Sequence, residues 1–150
     1  MRGVLAGVTL GLFICLLPDA VQSQTWEGDS IVSPLTSSPG DASRGRAIVV
    51  SRQTGLCLLC HNGPFPEERF QGNLAPELGV SVGKYSAAQL RARIVDSSRF
   101  SPGTIMPAYY RTEDLNRVAP KFVNQPILSA QEIEDVVAFL VGMNAKPGAQ

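Results

Sequence analysis

A single Cys57-Leu58-Leu59-Cys60-His61 run constrains this 150-residue chain more than any other feature. Two thiols at this spacing can add across the two vinyl groups of a haem, and the adjoining imidazole then sits beneath the iron. A chain that carries such a group has to build its core around it. His61 is the only histidine, and with three cysteines in the chain such a string would arise by chance about 0.0004 times.

Other uses of a CxxC pair fit less well. Structural zinc takes four protein ligands, mostly Cys and His, and the remaining cysteine, Cys15, lies far upstream in an apolar segment. A thioredoxin-like pair calls for a strand–helix–strand setting with the first Cys at a helix N-terminus. Here the neighbourhood is Gly, Pro and short helical patterns. A disulfide between the two would leave His61 without a role.

Met1-Arg2, then an apolar run from Gly3 to Leu17 ended by Pro18-Asp19, read as a secretory signal with Val21-Gln22-Ser23 at the cleavage position. The run is short for a membrane span, although an uncleaved anchor is the alternative. Cleavage after Ser23 leaves Cys57 and Cys60 as the only cysteines, in keeping with a haem attached outside the cytoplasm. Thirteen basic and thirteen acidic residues cancel, and no block of like charge points to nucleic acid or an anionic membrane.

Residues 1–23 are therefore read as signal, 24–40 as an extended arm and 41–150 as one domain. The arm is rich in Ser, Thr, Pro and Gly; it suits a disordered leader or, through Trp26, Ile31, Val32 and Leu35, a segment lying on a partner. Asp41 caps an expected helix to about Gln53, with Gly45, Ile48 and Val49 on one face. A Pro/Gly-rich stretch from Asn62 to Tyr85 has no periodicity, a length that suits a loop wrapped around a cofactor. Capping boxes at Ser86–Gln89 and Ser129–Glu132 open two further helices, to about Asp96 and Gly142. The second bears an apolar stripe of Ile133, Val136, Val137 and Leu140. Residues 97–128 read as loop, and no strand is expected. The expected fold is all-α, short helices and long loops around one haem.

His61 supplies one axial ligand, and the sixth position falls to Met, Lys, an N-terminus, water or an external molecule. Met106 sits in a loop, Ser101-Pro-Gly-Thr-Ile-Met-Pro107, that can carry a thioether to the iron; Met143 belongs to the end of a stripe-bearing helix. A thioether favours ferrous iron and so raises the potential. Pro76, in Gly72-Asn-Leu-Ala-Pro-Glu-Leu78, offers a carbonyl to orient the imidazole, or is an ordinary loop proline.

The order of helix, CxxCH, proline loop, helix, methionine loop and terminal helix resembles the class I cytochrome c fold. In that fold the first and last helices cross at a small residue and an aromatic, here Gly45 and Phe139, and Pro76 matches the proline that supports the haem histidine. Three strings, GDASRGRAIVVSRQTGLCLLCHNGPFPEERFQGNLAPELG, LRARIVDSSRFSPGTIMPAYYRTEDLNRVAPKF and PILSAQEIEDVVAFL, look like the SoxX family over residues 28 to 142. These are the small monohaem subunits of the SoxAX complex of sulfur-oxidising bacteria. The resemblance implies one covalent haem c held by Cys57 and Cys60, with His61 and Met106 on the iron. It implies a periplasmic heterodimer with SoxA, acting as an L-cysteine S-thiosulfotransferase that joins thiosulfate to a cysteine of the carrier SoxYZ. The catalytic cysteine then lies on SoxA, this chain has no catalytic residue of its own, and its electrons go to a soluble acceptor cytochrome. The competing function is a free-standing electron shuttle, which would share the CxxCH run but not the three strings.

Overall fold

A computed structural model describes residues 24–144; residues 1–23, read above as a signal, and residues 145–150 lie outside the described residues. Among the described residues four α-helices carry the fold: α1 (Ala42–Val50), α2 (Leu78–Ser81), α3 (Ala87–Asp96) and α4 (Ala130–Asn144). Two two-residue strands, β1 (Trp26–Glu27) and β2 (Ser30–Ile31), pair antiparallel ahead of them. No helix among the described residues is long and apolar enough to cross a membrane.

Each main helix starts where its cap demands. The Asp41 carboxylate accepts from the Ser43 and Arg44 amides, satisfying two of the four free N–H groups of α1. Ser86 and Gln89 form a reciprocal capping box at α3. At α4 the Ser129 hydroxyl accepts from Glu132 N, and the Glu132 carboxylate accepts from Ser129 N. α1 stops at Val50, three residues before the expected end. There Ser51 turns to extended backbone, and its hydroxyl accepts from the Gln53 and Thr54 amides, which closes a turn instead of another helical rung.

α1 crosses α4 in close contact, and the sequence at the crossing leaves no choice of residue. A Cβ on Gly45 would lie 1.9 Å from the Asp135 carbonyl oxygen and 2.9 Å from Phe139 Cβ. Ile48 and Val49 of α1 and Ile133, Val136, Val137 and Leu140 of α4 are buried in one core with Leu90 and Ile94 of α3. Polar ties fix the crossing angle: Arg44 makes two hydrogen bonds to the Asp135 carboxylate at 2.7 and 2.8 Å, and Asp41 N donates to it at 2.8 Å. Burial raises the Asp135 pKa, but Arg44, the Asp41 amide and Gln131 more than offset this and hold it below the ordinary value.

Further features depart from the sequence reading. The strands were not expected, because two residues cannot show an alternating pattern. The Asn62–Tyr85 stretch contains α2 and a following 3₁₀ turn, Val82–Lys84, again too short for periodicity. Residues 24–40, meanwhile, lie on this chain's own helices. Ile31 and Leu35 are buried, and Trp26 packs on Phe100 with the Arg99 guanidinium over its ring. Beneath them Arg91 and Glu134, both buried, form a two-pronged ion pair at 2.6 and 2.8 Å. Arg91 also donates to the Ile31 carbonyl at 2.7 Å, and Glu134 accepts from Leu35 N at 2.9 Å.

Candidate functional site

The CxxCH run forms a tight turn because of its backbone. Leu56 adopts a left-handed conformation, and Cys57–Leu59 then make one 3₁₀ turn, with Cys60 N and His61 N both donating to the Cys57 carbonyl. The turn holds Cys57, Cys60 and His61 together, and all three residues line one cavity. The following loop is knitted to the back of the turn. Gly72 N donates to Leu58 O, Leu74 N and Ala75 N share Cys60 O, and Leu78 N reaches Asn62 O. Gln71 clips this loop from inside, accepting from Gly63 N and donating to the Phe65 and Glu68 carbonyls.

The same loop delivers Pro76 to His61. The imidazole Nδ1 lies 2.6 Å from the Pro76 carbonyl oxygen. A carbonyl can only accept, so Nδ1 carries a proton, and in the neutral imidazole Nε2 is then the nitrogen with the lone pair. This is the tautomer that a metal-ligating histidine needs, with its other nitrogen held by a backbone acceptor.

Met106 lines the cavity too, whereas Met143 packs partly buried against the core and is not among the lining residues. The methionine loop is pinned at both of its backbone groups: Met106 N donates to Thr104 Oγ1 at 3.1 Å, and Ser97 Oγ donates to Met106 O at 3.2 Å. The cavity measures about 520 Å³, within the roughly 300–1,000 Å³ that encloses small ligands and cofactors. Its floor is apolar, with Val49, Ile94, Leu128, Val136 and Leu140 drawn from every main helix and the connecting loop. Three further lining residues, Leu59, Leu74 and Ile105, are exposed and form an apolar rim.

The residues present fit a haem. A flat, largely apolar macrocycle needs an apolar slot, two thiols at its edge and one or two soft or imidazole donors facing inward. The cavity supplies Cys57, Cys60, His61 and Met106 for these places. Burial pushes the Cys57 thiol up to about 11, with the Tyr109 hydroxyl acting the other way. Sequence reasoning overlooked Tyr109, which is 4% exposed, lines the cavity and donates to the Gly55 carbonyl at 2.5 Å. Its one signal was its place three residues past Met106 in a string otherwise read for the methionine. Burial first, and then Cys57, raise its pKa well above the ordinary value, so it is a proton donor at any neutral pH.

No family model matches this sequence, and no curated protein does. Among solved structures, a chain of SoxXA from P. pantotrophus superposes with a TM-score of 0.73 at 33% identity, covering 80% of this chain and 93% of that one. A helical chain of this size, carrying one CxxCH turn and matched over almost the whole of that partner, corresponds to the small subunit of the pair. By fold, by identity and by coverage, this chain belongs to the SoxX family.

Proposed function

We propose that this chain is the monohaem c-type electron-transfer subunit of a periplasmic SoxAX complex, with the haem held by thioether links to Cys57 and Cys60. The observation that carries the reading is one cavity lined by both cysteines, His61 and Met106, in a chain of the SoxX family. A bound haem c would supply a one-electron carrier. His61, its Nδ1–H engaged by Pro76, would hold the iron through Nε2, and Met106 would hold it through its thioether. A thioether favours the ferrous state, which suits a subunit that accepts electrons. The apolar cavity floor offers the faces of a haem a non-polar surface, and Leu59, Leu74 and Ile105 form its exposed rim.

In the complex, thiosulfate joins a carrier-protein cysteine of SoxYZ as a sulfur–sulfur bond forms. The cysteine loses its proton, and two electrons leave. Both mature cysteines of this chain are committed to haem, so the sulfur chemistry belongs to SoxA and this chain is the electron exit toward a soluble acceptor cytochrome. Export depends on the segment ending at Ser23, which lies outside the described residues.

The test is co-expression with the cognate larger haem subunit. The two are expected to co-purify from the periplasm, and the pair alone is expected to conjugate thiosulfate to SoxYZ. Conjugation by this chain alone at the rate of the pair would overturn the division of labour. A chain that never associates with a larger haem protein, yet is reduced and reoxidised freely, would be the electron shuttle instead.

A further inference from the structure

Three side-chain hydrogen bonds hold residues 101–109, and two of them are local. Thr104 belongs to the loop itself, and Ser97 to the turn at the end of α3. The third, Tyr109, runs to the segment that leads into the CxxCH turn. Its backbone is pinned on both sides, N donating to Ile94 O and O accepting from Leu128 N, so the ring has a fixed base. Its hydroxyl donates to Gly55 O, two residues before Cys57. Gly55 has no freedom to follow a moving ring: a Cβ there would lie 2.2 Å from the Ile48 carbonyl, so its backbone is pressed against α1. The Cys57 thiol is the other donor to the same carbonyl, at 3.4 Å. A thioether has no proton, so attachment of haem removes that donor and leaves the Tyr109 hydroxyl to satisfy a buried acceptor.

We propose that Tyr109 is a positioning residue, whose hydrogen bond to Gly55 locks the methionine loop to the haem-attachment turn and so sets how firmly Met106 keeps its place on the iron. The inference rests on the reading that the cavity carries a haem with Met106 as a ligand. Loss of the hydroxyl strands a buried carbonyl, a penalty equivalent to roughly tenfold in an equilibrium constant. Opening of the loop lets water reach the Gly55 carbonyl, so the penalty falls on the Met106-bound state.

The experiment uses the haem-loaded chain in its ferric form and titrates it with imidazole, which reaches the iron only when Met106 leaves. Tyr109→Phe is expected to tighten apparent imidazole binding about tenfold, by raising the population of the open state. Its charge-transfer band from sulfur to iron is expected to fade at lower imidazole. Ile133→Val, a core truncation away from the cavity, is the control for general loss of stability. p-Aminophenylalanine at position 109 keeps the ring and a donor, and is expected to return the parent affinity. It also keeps the test open should the Phe variant fail to load haem. Unchanged imidazole affinity in Tyr109→Phe, an equal change in the control, or Phe-like affinity with the amino analogue would each overturn the inference. A parent protein without the sulfur-to-iron band would overturn the Met106 assignment itself, and the role of Tyr109 with it.

Discussion

Glu134→Ala is expected to be among the most damaging single changes in the chain, although it lies outside the haem cavity. Arg91 and Glu134 are 5% and 6% exposed and are joined by two short hydrogen bonds. Deleting one partner of such a pair leaves an uncompensated buried charge, at a cost of about 3–5 kcal/mol. The same change strips Leu35 N of its acceptor, a further 1–3 kcal/mol or so if water does not reach it. The two terms overlap, because both are relieved when the arm lifts, so the lower figure of about 3 kcal/mol is the sounder one. With a urea slope of about 2 kcal/mol/M, the unfolding midpoint falls by about 1.5 M. The assay is urea unfolding of the haem-loaded protein, read by haem absorbance and by backbone circular dichroism, with proteolysis reporting on residues 24–40. Arg91→Met combined with Glu134→Leu is expected to recover the part of the loss that comes from the unpaired charge, while the Leu35 N and Ile31 O hydrogen bonds stay lost. A midpoint shift under about 0.3 M for Glu134→Ala, with the arm still protected, would refute the reasoning.

Four further outcomes follow from the same geometry. Met106→Ala abolishes the sulfur-to-iron charge-transfer band and lowers the reduction potential, checked by ferric spectroscopy and redox titration; an unchanged potential would reassign the ligand. Replacing both Cys57 and Cys60 with Ala leaves no haem attached after denaturing electrophoresis, and the apo chain loses its cooperative unfolding transition. Gly45→Ala forces a Cβ into the space 1.9 Å from the Asp135 carbonyl, so α1 and α4 must separate; a loss of about 1–3 kcal/mol or more is expected in thermal unfolding. Asp135 has a folded pKa below that of an unfolded aspartate, about 3.9, so its stabilisation is complete above that value and is lost as pH falls through the folded pKa. Asp135→Asn is therefore expected to be less stable at neutral pH and to show a shallower acid limb in unfolding midpoint against pH.

The candidate site of this chain was legible in one line of sequence, because a haem-attachment motif needs residues adjacent along the chain. Cys57, Cys60 and His61 are neighbours in sequence and remain so in space, and the caps at Asp41, Ser86 and Ser129 act over three or four residues. Even the long-range crossing of Gly45 with Phe139 could be read through the resemblance, since steric exclusion at a helix contact admits so few residues. What lay beyond sequence was set by partners far apart along the chain. Arg91 and Asp135 look like solvent-facing charges on helices until Glu134 and Arg44 are found against them. Nothing near Tyr109 in sequence announces that its hydroxyl ends at Gly55, 54 residues upstream. Likewise an arm of scattered apolar residues is indistinguishable from a loose leader until Ile31 and Leu35 are seen buried and bonded to Arg91 of α3 and Glu134 of α4. Local backbone chemistry is written in local sequence; a buried hydrogen bond between distant elements exists only once the core has brought both ends out of water.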